Sequence, residues 1–332
     1  CSVFCFAMES LAIFSDSSLE RVLLIPVSIL IYMSSSSWVI VANQQLIKEV
    51  GFPFPVLLSA FGAFSSATVA HLSVYADVVS IRKETLEYAT GKNWRQNVLP
   101  VALCQAATLA LGNASYLYFG LGMVQMLKAG TPIFVLLTLV MLRLERPSLI
   151  TAFFVSLITL GTLVTAGTTP QWDATGLCFS VGAMVTEALR VGLTQFLLKS
   201  CKFSVTEGQY ILAPTVSIAL LLASACIEGK DLNFQAVEKV FEYPHLFVMA
   251  AGLGTAVNYS SYWVIKTCGA LTLKVVTTLR NIALVLYGAF GLGEALSESQ
   301  VWGYALTLLG FVGYTYFSSP GKEAQVKPET SG

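Results

Sequence analysis

Long apolar runs, each about as long as a membrane-crossing helix, alternate along the chain with short joints that are charged or rich in proline and glycine. A crossing helix needs about 20 residues. The runs fall at 22–46, 54–78, 97–119, 123–142, 147–167, 174–198, 208–228, 244–265, 270–292 and 299–317. Only two joints have any length: 79–96, which is basic and acidic by turns, and 229–243, which leans acidic. The pattern predicts an all-α membrane protein of ten transmembrane helices. It divides into an N-terminal cytosolic segment 1–21, a helical domain 22–317, and a polar tail 318–332 expected to be disordered and cytosolic. The first residue is Cys1 and not Met, and a truncated N-terminus is expected.

Composition supports this reading. Soluble chains carry about 25% charged residues, whereas this chain of 332 residues carries 11%, with 55% hydrophobic residues and a mean hydropathy of +0.71. So much apolar surface has to face hydrocarbon, and in hydrocarbon the backbone must satisfy its own hydrogen bonds, which helices do. The seven cysteines are scattered, with no CxxC pair and no Cys/His cluster. Neither a disulfide framework nor a metal site is expected. No GxxxxGK[ST] phosphate loop occurs, which excludes an ATP-driven pump in one chain. No nucleophile–base pair is readable in the spans, so no catalytic residues, no enzymatic activity and no cofactor are expected.

Charge distribution carries more than net charge, which is zero. With the N-terminus in the cytosol, twelve basic residues fall in cytosolic joints and three (Lys48, Lys230, Lys239) on the opposite side. That bias predicts both termini cytosolic. Four cations remain inside the spans, Lys128, Arg190, Lys274 and Arg280, with Glu187 the one acid clearly among them. A cation at mid-bilayer costs about 2.5–3.5 kcal/mol on insertion scales. A surplus of such charges persists where it lines water or where an anionic ligand completes it.

The two halves of the chain also resemble each other. Gly112-Asn113-Ala114-Ser115-Tyr116 in the third run matches Val257-Asn258-Tyr259-Ser260-Ser261-Tyr262 in the eighth, and Lys128 in the fourth matches Arg280 in the ninth. Five spans per half make the second copy insert upside down, so repeats 22–167 and 174–317 are expected to be inverted. That plan places substrate sites near mid-membrane in many carriers.

Each candidate residue has two readings. Lys128 shares a helix face with Gln125 and Thr131, which suits a phosphate-binding ammonium; alternatively it snorkels to the interface. Arg280 lies about ten residues into its run, ~15 Å deep at 1.5 Å per residue, too deep to snorkel, with Thr277 and Asn281 beside it. Its planar guanidinium suits phosphate. Arg190 stands one turn after Glu187, either as a structural ion pair or as a cation that Glu187 holds while no substrate is bound. Lys274 is close enough to its run's end to snorkel, or it joins the site. Asn258 and Tyr259 could contact a sugar or base, with Tyr259 or Tyr262 stacking, or could fasten helices together.

At this point a family resemblance becomes visible. Gly51-Phe52-Pro53-Phe54-Pro55, the stretch Gln125 to Phe134, Ala188-Leu189-Arg190 with Thr194-Gln195, Leu271 to Val275, and Gly303-Tyr304 resemble the triose-phosphate and nucleotide-sugar transporter family of the drug/metabolite transporter superfamily. The resemblance covers about residues 22–317. It implies ten helices in two inverted five-helix repeats and antiport by alternating access. It also implies phosphate-binding cations at Lys128, at Arg190 and at the Arg280-Asn281 pair. Plastid members carry a second cation where Asn281 stands, a histidine in the third segment that is missing near Leu109–Asn113, and Asn-Lys where Asn43-Gln44 occurs here. These departures favour the endomembrane branch. The expectation is a Golgi or endoplasmic reticulum antiporter exchanging a nucleotide sugar for a nucleoside monophosphate. The alternatives are a plastid-type sugar-phosphate/phosphate translocator and a non-transporting scaffold of the same fold. Expected partners are a small anionic phosphorylated substrate and the lipid bilayer; a homodimer is left open, and no nucleic acid is expected.

Overall fold

The computed structural model describes residues 18–115, 118–119, 124, 127–128, 130–166, 173–230, 232, 234–292 and 298–317. Among them the chain is helical throughout, without strands. We label the longer helices α1 (Ser18–Lys48), α2 (Pro55–Tyr75), α3 (Leu99–Ser115), α4 (Thr131–Met141), α5 (Leu149–Ala166), α6 (Ala174–Gln195), α7 (Val205–Ile227), α8 (Pro244–Cys268), α9 (Ala270–Leu292) and α10 (Glu298–Phe317). Four stretches are long and apolar enough to cross a bilayer by themselves: Leu24–Ile47, Pro55–Tyr75, Ala174–Ser200 and Val205–Ile227. The chain is therefore an integral membrane protein.

The helices lie close to the apolar runs, and the differences have local causes. α7 starts at Val205, earlier than the run at 208, because Ser204 and Glu207 form a reciprocal capping box: Glu207 N donates to Ser204 Oγ at 3.0 Å and Ser204 N to Glu207 Oε2 at 2.8 Å. Of the expected helix 123–142, Val124, Leu127 and Lys128 are helical, and α4 runs from Thr131 onward with Gly130 as its N-cap. Pro132 suits this start, since proline is tolerated in a first turn and not further inside. Lys128 thus stands just before the start of α4. α8 and α9 are separated by Gly269 alone, at φ 101°, a left-handed conformation that side chains rarely adopt. Beyond that break, Gln195 Oε1 accepts from Ala270 N at 2.5 Å and caps α9. The joints hold more structure than expected, including the short helices Lys83–Leu86 and Phe234–Glu242.

The chain divides into two compact units, residues 1–110 with 189–270, and residues 111–188 with 271–332. Neither is a sequence half; each draws on both.

In the first unit, α2 packs along α7, and α8 along both α1 and α2. The α1–α2 joint is aromatic: Phe52 meets Phe54 and Phe247 edge to face at 4.9 Å, over a core with Leu46 and Leu58. Buried carboxylates secure both ends of the α2–α7 pair. Glu228 accepts from Val56 N at 2.8 Å, Leu57 N at 3.0 Å and Ser224 Oγ at 2.8 Å, capping α2. At the other end Glu207 accepts from Arg82 Nη2 at 2.9 Å and Thr85 Oγ1 at 3.0 Å, tying down the 79–96 joint.

The second unit is held differently. α5 and α10 pack where glycines remove side-chain bulk: a methyl group at Gly161 would stand 2.4 Å from Thr307 Oγ1, and one at Gly313 would stand 2.0 Å from Phe154 Cε1. Small residues at a helix interface let backbones approach and gain dispersion contacts, the main attraction available in lipid.

Candidate functional site

In the second unit two of the cations inside the apolar spans, Lys274 and Lys128, stand near one acid, Glu187. Lys274, in the second turn of α9, turns inward and makes an ion pair with Glu187 on α6. The side chains of the pair keep 11% and 16% of their surface exposed. This corrects the snorkelling reading of Lys274 and gives Glu187 a partner that helical spacing did not suggest, a lysine 87 residues later in the chain.

Lys128 belongs to the same cluster. The charges of Glu187 and Lys274 both act on its ammonium. A methyl group at Gly112 would stand only 3.3 Å from Lys128 Nζ, so the lysine reaches across to α3 over a residue without a side chain. Thr131 Oγ1 donates to the Lys128 carbonyl, holding the lysine against the start of α4. Gln125 lies outside the described residues.

Further along α9, Arg280 Nη2 donates to Asn281 Oδ1 at 2.8 Å, while its buried Nε has no hydrogen-bond partner among the described residues. A guanidinium holds five donors, so this one retains donor capacity. Thr277 Oγ1 donates to the Leu273 carbonyl at 2.7 Å, its own preceding turn. Lys274, Thr277, Thr278 and Asn281 follow i, i+3, i+4, i+7 spacing and form a polar stripe on one face of α9.

The first unit holds the other predicted residues around a cavity of about 190 Å³. Arg190 and Asn258 line it together with Asn43, Gln105, Gln209 and Tyr262. Asn258 borders the cavity, and its Nδ2 donates to Ser66 Oγ at 2.9 Å, fastening α8 to α2 as the second of its two readings had it. Thr255 to Ser65 at 2.9 Å is a second such link. Tyr259 is 1% exposed and packs in the core, away from the cavity lining, and Tyr262 lines it instead. α8 turns one of two nearby tyrosines to the cavity, a rotation that residue type does not reveal.

Gln209 is a residue the sequence reading missed. It is 2% exposed, it lines the cavity, and its Nε2 has no hydrogen-bond partner among the described residues. Leaving a buried donor unsatisfied costs about 1–3 kcal/mol, and this one borders the cavity. It stands in the first turns of α7, beside the capping box, where a lone amide gives no signal in the sequence.

Comparison with known proteins shows what the whole chain is similar to. The model of the Triose-phosphate Transporter family matches residues 17–315. A probable sugar phosphate/phosphate translocator of Arabidopsis thaliana is 30% identical over 296 residues, covering 86% of each chain. A UDP-uronic acid transporter of the same plant is 22% identical over 304 residues, covering 90% of this chain and 97% of that one. A crystal structure of another protein, 14% identical, superposes with a TM-score of 0.62 over 87% of this chain and 98% of its own, a likeness of fold.

Proposed function

The chain belongs to the triose-phosphate transporter family, and we propose that it is a secondary antiporter exchanging a nucleotide sugar for a nucleoside monophosphate across an endomembrane. In this reading ten helices cross the bilayer as two inverted repeats, 22–167 and 174–317, with both termini in the cytosol and the cargo moving by alternating access. The carrying observation is the cluster of Lys128, Lys274 and Glu187 within apolar spans, with Arg280 on the same helix as Lys274. Buried cations are retained where they bind something anionic. Lys128, Lys274 and Arg280 would hold the phosphates, with Asn281 and Thr277 beside them; Gln125, near Lys128 in the chain, is assigned to the same contact. Arg190 and Asn258 would meet the sugar or base, Tyr262 taking the place given to Tyr259.

A bound dianion neutralises lysines and arginine at once, so the loaded carrier reorients more readily than the empty one. That differential stabilisation is what a coupled exchange requires. Asn281, where plastid members carry a cation, favours the nucleotide-sugar branch. A second reading, exchange of a sugar phosphate for inorganic phosphate, is favoured by the 30% identity to a probable translocator of that class.

Purified protein in liposomes preloaded with inorganic phosphate, UMP, GMP, CMP or AMP separates the two. Labelled nucleotide sugars entering only against a nucleoside monophosphate support the first reading; labelled sugar phosphates entering against phosphate support the second. No exchange with any pair, from a monodisperse preparation, would sink both.

A further inference from the structure

Glu187, Glu207 and Glu228 sit inside or at the ends of helical spans, and their surroundings differ. Glu207 and Glu228 are each saturated by backbone amides and side-chain donors and are 2% and 8% exposed. Glu187 is paired with a lysine, and both members of that pair keep a fraction of their surface open. Lys128 lies within the field of the same carboxylate. We infer that Glu187 is a built-in counter-anion, occupying Lys274 while the carrier is empty and yielding that lysine to the substrate's phosphate when it binds.

The inference rests on the phosphate-transport reading and goes beyond it, because it assigns a role to an acid in a site that binds anions. A carboxylate beside the cations repels an incoming phosphate and competes for the same ammonium, so it weakens substrate affinity. What it provides in exchange is an empty state whose cations are partly neutralised. An empty carrier so balanced crosses the membrane better than one with bare charges. Glu187 therefore sets the ratio of net uptake to exchange. What sets this pair apart is its place inside the apolar spans beside Lys128, whereas the Arg82–Glu207 pair ties down a joint.

The direction of the effect provides the test. Glu187→Gln keeps the shape and removes the charge. The half-saturation concentration for labelled inorganic phosphate or UMP in exchange should then fall about five-fold or more, the low end of typical coupling between ligands. Net uptake into anion-free vesicles should fall relative to exchange. Phosphate should also raise the melting temperature of Glu187→Gln more than that of the wild type, since added anion replaces the missing charge. Glu187→Asp, which keeps the charge and withdraws it by one methylene, should shift in the same direction by less, and it decides the matter if the glutamine variant does not fold. A structural role alone predicts an unchanged or weaker half-saturation and no gain in the phosphate-induced shift. Either of these in a folded variant overturns the inference while wild-type exchange leaves the transport reading standing. A wild type that neither exchanges phosphate or UMP nor is stabilised by them overturns both.

Discussion

The two compact units treat buried charge in opposite ways. In the first, Glu207 and Glu228 are sunk at the ends of the α2–α7 pair and enclosed by donors: two α2 amides and a serine for Glu228, and a guanidinium, a threonine and the capping-box amide for Glu207. In the second, Glu187 pairs with Lys274, with Lys128 nearby, and Arg280 Nε has no hydrogen-bond partner among the described residues. A charge that is fully satisfied inside the fold has nothing left to offer a ligand. A cluster with more cations than acids, with some surface reachable, has capacity to spare. The contrast teaches that burial of a charge is no sign of function; incomplete satisfaction is.

Arg280→Ala should have the largest effect on function. Truncating one member of a buried charge contact costs about 2–5 kcal/mol, so the half-saturation of the exchanged anion should rise by about thirty-fold or more, with the melting temperature little changed. A normal half-saturation would remove the second unit from substrate binding and break the contrast at its root. Glu228→Gln should do the reverse. Losing charge-assisted bonds to the first turn of α2 should lower stability by about 1–3 kcal/mol, read as a lower melting temperature, with half-saturation unaltered. A transport phenotype without a stability loss would mean that this carboxylate works rather than builds. The smallest effect is expected for Gln209→Met, which fills similar volume and removes an orphaned donor. Stability should hold or rise by up to about 1 kcal/mol, while preference among sugar or base moieties shifts. Unchanged preference would make the amide-lined cavity a packing feature.

Much of the helical layout was legible in the chain. Runs of apolar residues anticipate helices because a helix satisfies its own backbone in hydrocarbon, and prolines at Pro55 and Pro244 stand at helix starts close to where the runs begin, whereas Pro132 lies inside an expected helix and starts α4. The four cations of the apolar spans were legible as well, since a charge in such a run is conspicuous. Less visible were the capping carboxylates. Glu207 and Glu228 sit at the margins of runs, where acids are common, and what distinguishes them are partners as far as 172 residues away in the chain. Gln209 was hidden for a related reason: an amide near a helix end is unremarkable until its neighbours are shown to leave it without a partner. Tyr259 and Tyr262 illustrate the limit of pattern, being three residues apart on one helix, yet one lines the cavity and the other packs in the core.

The sequence by itself determined that this chain lives in a membrane, roughly where its helices run, and which charges are too costly to be accidental, because transfer free energies and helical period act locally along the chain. Only the tertiary structure decided that Glu187 belongs to Lys274, that Lys128 reaches across Gly112, that each compact unit is assembled from both halves of the chain, and that a 190 Å³ polar cavity forms beside Arg190. Those facts depend on how helices far apart in sequence are rotated and set in register against one another, and no local property of residues encodes that.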